Sequence, residues 1–134
     1  MNRHSTVWYE ALDAFVEQRS SLPFAWGSND CCTFAADWVQ IVRGEDLMED
    51  LRGLTTALTA ARALQQEGGL LAAVVRRMGD QLPGTFAQVG DVALVRHGGD
   101  KVSMGVCLGA FVAAPGEAGL LMVPIDQAEA SWRV

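Results

Sequence analysis

The chain contains three cysteines, two histidines, four prolines and one tyrosine. An odd number of cysteines, two of them adjacent at Cys31 and Cys32, does not make a disulfide framework, so reduced thiols are expected. Long apolar runs are absent too. A membrane span needs roughly 18 or more uninterrupted apolar residues, and the longest runs here, such as residues 70–75, fit a buried helix or strand. Basic residues are few: ten Lys and Arg stand against sixteen Asp and Glu, a net charge of −6. That balance argues against a nucleic-acid partner, which calls for a basic face to displace counterions. It also argues against electrostatic docking on an anionic membrane. Residues 1–6 (MNRHST) lack the apolar core of a secretory signal. A cytoplasmic protein is therefore expected, unless a larger particle carries it elsewhere.

What is present suits one folded domain over residues 1–134. Half the residues are apolar and 19% are charged, a composition that folds rather than stays disordered. A domain of this length buries roughly 65–70% of the surface its unfolded chain exposes. No internal repeat or Pro/Ser-rich linker divides it.

The first half reads helical. Ser5 or Thr6 can cap a helix with the apolar stripe Trp8, Leu12, Phe15 and Val16, ended before Pro23. Asn29 or Asp30 can cap a second, bearing Phe34, Ala35, Trp38, Ile41 and Val42 and closed by Gly44. A third is expected over residues 56–67 and a short fourth over 70–78. The second half changes to strand patterns at residues 91–96 (DVALVR), 102–108 (VSMGVCL), 111–114 (FVAA) and 120–123 (LLMV). Helices followed by an antiparallel meander define an α+β fold.

Cys31 falls in the first turn of the second helix. Free backbone N–H groups and the helix dipole favour a thiolate there, the form a cysteine nucleophile needs. The alternative is that Cys31 and Cys32 are small buried hydrophobes. Successive helical residues point about 100° apart, so one of the pair is expected to face a cleft and the other the core.

The segment Pro23-Phe24-Ala25-Trp26-Gly27-Ser28-Asn29-Asp30-Cys31-Cys32-Thr33-Phe34 resembles the signature of the NlpC-type papain-like cysteine peptidases. There an aromatic-Trp-Gly segment leads into Asp-Cys-Ser-x-Phe at a helix start. Gly90-Asp91-Val92-Ala93-Leu94 is similar to that family's Gly-Asp-Leu-x-Phe strand, and Met104-Gly105-Val106-Cys107-Leu108-Gly109 to its Val-Gly-Ile-Tyr-Leu-Gly strand. The chain looks closest to a phage and prophage tail-associated branch of that superfamily. The resemblance implies a papain-like fold with N-terminal helices on an antiparallel meander. It also implies Cys31 at the nucleophile position, with Asp30 as the acidic residue before it.

The family's base is a histidine immediately before the Val-Gly-Ile strand, and Ser103 stands at that position. A serine hydroxyl does not take a proton from a thiol near neutral pH. The family's third polar residue lies on the next strand, and residues 111–114 contain no His, Asn or Gln. His97 is the candidate substitute base. With residues 98–101 as the turn, it is expected opposite Val102, one residue from Ser103, close enough to swing toward Cys31. The competing reading is a solvated turn histidine, and His4 reads as a solvated terminal residue. Cys31, Cys32, Cys107 and His97 do not match a common zinc spacing, and no metal or cofactor is implied.

Two functions follow. One is a structural component of a phage tail tip or baseplate, a degenerate peptidase fold joined to other phage tail proteins. Such a protein would reside in the bacterial host cytoplasm during assembly and in the virion tail afterwards. The other is an active peptidase or amidase cutting peptidoglycan cross-links, with Cys31 as nucleophile and His97 or a partner group as base. For the structural reading, Trp132 in the C-terminal tail and residues 111–114, near a sheet edge, are the expected docking elements.

Overall fold

In the computed structural model, which describes residues 1–134, helix α1 (Thr6–Arg19) starts where the Ser5 hydroxyl accepts the backbone N–H of Trp8. Helix α2 (Cys31–Arg43) starts at a capping box: Asp30 accepts the N–H of Thr33, and the Thr33 hydroxyl accepts the N–H of Asp30. It stops at Gly44, which takes the left-handed conformation open to glycine. Helices α3 (Ala57–Gln66) and α4 (Leu70–Met78) follow a loop containing a 3-10 turn at Glu49–Leu51.

Six strands complete the chain: β1 (Leu82–Pro83), β2 (Val92–His97), β3 (Lys101–Cys107), β4 (Phe111–Gly116), β5 (Gly119–Pro124) and β6 (Ala128–Trp132). They form one sheet in the order β1-β6-β2-β3-β4-β5, with every pairing antiparallel. The fold is thus α+β. Strands β2 to β5 make the expected meander. The last strand departs from expectation: the C-terminal segment does not merely pack back but enters the sheet between β1 and β2. Trp132 is buried there, its indole N–H donating to the carbonyl of Gly79.

The core lies between the helices and one face of the sheet. Trp8, Phe15, Phe34 and Trp38 meet Leu94, Met104, Val106 and Trp132 in a single cluster. Burying Phe15 and Phe34 contributes roughly 1.5–3 kcal/mol each relative to exposure. The sheet's other face carries a smaller cluster of Ala93, Val95, Cys107, Val112 and Val123. This alternation assigns each strand residue to a face.

The position expected at the sheet edge differs. Residues 111–114 belong to β4, which is flanked by β3 and β5, so the outer strand on that side is β5. Phe111 is nonetheless exposed.

Two glycines hold layers together. The Trp8 ring lies where a Gly90 side chain would be, 2.0 Å from an ideal Cβ, and Gly90 has φ +86°. Its carbonyl accepts the Trp38 indole N–H at 2.8 Å. Gly105 lets β3 approach β4, since a Cβ would fall 2.4 Å from the Ala113 carbonyl oxygen. Beside Gly90, Asp91 is fully buried; its carboxylate accepts the Gln88 backbone N–H across the turn and pairs with Arg3 and Arg133. Gly90→Ala is therefore expected to lower stability by roughly 3 kcal/mol or more, combining a buried clash with left-handed strain. A urea-unfolding midpoint close to that of the unsubstituted protein would contradict this.

Candidate functional site

The site is built around the capping box. The Asp30 carboxylate accepts the backbone N–H of Thr33 through one oxygen and that of Gly27 at 2.8 Å through the other. Gly27 needs its positive φ of 81° for this turn, and its carbonyl accepts the Gly53 N–H at 3.2 Å. Asp30 thus joins the Trp26-Gly27 turn, the helix start and the following loop. With both oxygens occupied by backbone donors, its observed role is architectural.

Cys31 is the first residue of α2 and half-buried, while Cys32 is buried. Both line one apolar cavity of about 220 Å³, together with Trp26, Leu51, Leu54, Ala60, Leu64, Leu70 and Val102. Cys32 belongs to the core cluster and Cys31 is the partly exposed one, as expected, although Cys32 also reaches the cavity lining. At the end of a helix a cavity can wrap around the terminus and meet two successive residues. The loop at residues 44–56 supplies a wall through Leu51 and Leu54. It is pinned by Arg52, which reaches Asp46 at 2.5 Å and Asp37 of α2 at 2.6 Å.

Hydrogen bonding favours the Cys31 thiolate, first from the Cys32 thiol and then from the Met104 and Cys32 backbone, and it outweighs burial and the nearby Asp30 charge. The Cys31 pKa is accordingly lowered. Cys32 is shifted upward, first by that same hydrogen bond and then by burial. Of the two, Cys31 is the one prepared to react.

The imidazoles are elsewhere. His97 pairs with Lys101, and Val102 pairs with Arg96, one residue away from the expected register. A single-residue change of register moves a side chain to the opposite face of a sheet. Val102 and Met104 contact the helix-side core. Ser103 pairs with Val95, whose side chain belongs to the cluster on the other face. His97 Nε2 and Ser103 Oγ lie 2.8 Å apart on that far face. The family's base position and the proposed substitute therefore find each other, with the sheet between them and Cys31. The remaining histidine, His4, stacks on Tyr9 and meets Trp8 edge-on near the start of α1.

Cys107 belongs to the far-face cluster. No group of three or more His, Cys, Asp or Glu side chains is placed to hold a metal ion, and no helix is long and apolar enough to cross a membrane. Sequence reasoning missed the cavity wall formed by α3 and α4. Its signal was present in the apolar spacing of Ala60, Leu64 and Leu70, but that pattern also describes an ordinary core-facing stripe.

The arrangement yields a reactive thiol without a general base. Alkylation of Cys31 by iodoacetamide should persist to lower pH than for an ordinary thiol, whose pKa is about 9.0. Replacing Cys32 with Ala removes the main donor and should move that midpoint upward. His97→Ala should leave it in place. A downward shift in C32A, or any shift in H97A, measured by mass spectrometry of the labelled peptide, would contradict this geometry.

A comparison with curated proteins finds no match to this chain. A family model described as "Domain of unknown function (DUF6950)" matches residues 2–134. That match spans nearly the whole domain just described, and the chain belongs to this family.

Proposed function

We propose that this protein is a papain-like, NlpC-type domain with an incomplete catalytic site, acting as a structural component of a phage tail tip or baseplate. The observation that carries the loss of peptidase activity is the placement of His97 with Ser103 behind the sheet, away from Cys31. Peptide hydrolysis by a thiolate requires a proton donor for the departing amine. No imidazole faces the thiol to supply one. The helix-start thiol, the Gly90-Asp91 strand entry and the close β3–β4 approach at Gly105 support kinship with an NlpC architecture. The tail assignment rests on the sequence resemblance, and function belongs to the site rather than to the fold.

The lowered Cys31 pKa favours a second reading, a peptidase completed by a base from a partner protein. The architecture presents a nucleophile to an accessible cavity in either case. The two readings part over whether a tail partner brings an imidazole or carboxylate to it.

The purified protein is expected to release no soluble muropeptide from peptidoglycan, read by liquid chromatography. C31A is expected to assemble into tails as the unsubstituted protein does. Cys31-dependent release by the protein alone would establish the peptidase reading. Absence of the protein from purified virions would remove the tail assignment.

A further inference from the structure

Helix α3 is amphipathic, yet none of its residues is buried. Its Ala60 and Leu64 side chains line the Cys31 cavity, Leu64 packing against the edge of the core as well, and Leu54, Leu70 and Val102 line the same space. Charged clamps hold these walls. Arg77 of α4 grips Glu67, just beyond α3, with bonds of 2.7 and 2.9 Å. Arg52 fixes the loop that carries Leu51 and Leu54. An apolar cavity does not stabilise water, and its lining forfeits contacts while it is empty.

The lining also selects the guest. The single charged side chain at the cavity is Asp30, and its carboxylate is occupied by backbone donors. No cation lines the space to receive an anionic ligand. A cavity of about 150 Å³ takes up benzene, so the volume of about 220 Å³ accommodates one substituted ring or a comparable alkyl group.

We infer that this cavity binds a neutral apolar small molecule, about one substituted aromatic ring in size, against the Cys31 thiol. The inference goes beyond the tail assignment and does not depend on it.

Toluene is the probe. In the unsubstituted protein, saturating toluene should slow iodoacetamide alkylation of Cys31 by roughly tenfold, the protection given by a ligand at about ten times its dissociation constant. It should also shift the methyl resonances of Leu54, Leu64 and Leu70. A60F, which fills the cavity from α3, should lose both effects while keeping its far-UV circular dichroism. L58A, altering an exposed residue of the same helix, should keep both. Failure of toluene to protect Cys31 or to shift these methyls in the unsubstituted protein overturns the inference, whether or not A60F folds. So does a dimer that A60F dissociates, because a second copy would then cover the apolar face.

Discussion

The structure depends on the packing at Gly90. The Trp8 ring of α1 occupies the space a side chain would take, and the Trp38 indole of α2 donates to the Gly90 carbonyl. One residue thereby receives both helices at the entrance to β2. Its own N–H donates to the Cys107 carbonyl at 2.7 Å, bringing β3 into the same junction. Next to it, the buried Asp91 carboxylate draws in Arg3 from the N-terminus and Arg133 from the C-terminus. Both chain ends, two helices and two strands are thus fixed within two successive residues. A buried carboxylate without such partners would be costly.

From that junction, sheet parity determines the chemistry available to Cys31. The β2–β3 hairpin leaves Gly98, Gly99 and Asp100 between the strands and pairs His97 with Lys101. One residue's difference in that register would have placed the imidazole on the helix side. With the observed register, Val102 faces the thiol cavity, while His97 and Ser103 satisfy each other on the far face. A loop of three residues accordingly separates a nucleophile from the base that would make it a hydrolase.

Helix α2 still supplies what a thiolate requires. The Asp30 cap leaves Cys31 at the dipole's positive end, and the adjacent Cys32 thiol is the largest influence favouring its thiolate. Around this polarised point the walls are apolar apart from Asp30, and the charged clamps stand outside. Bonds such as Arg77 with Glu67 and Arg52 with Asp46 are partly shielded from solvent, so they resist screening better than exposed pairs do. The outcome is an apolar space beside one nucleophilic atom, lined by residues that pack against the core and bordered by ion pairs.

Much of the fold was legible in the sequence because its causes are local. Ser5, Asp30 and Gly44 mark helix boundaries through hydrogen bonds made within one turn. The Trp8, Leu12, Phe15 stripe follows from helical periodicity, and β2 to β5 read as short apolar runs set off by Gly- and Pro-bearing turns. Cys31 at a helix start was readable for the same reason. The sequence alone did not reveal the insertion of β6 beside β2, the interior position of β4 or the burial of Asp91, because each depends on partners distant along the chain. It also did not determine on which face His97 falls. A run of Gly, Gly, Asp and Lys accommodates more than one hairpin register, and a one-residue difference reverses every side chain. Tertiary pairing alone decided that the histidine stands behind the sheet, and that the cavity beside Cys31 is apolar.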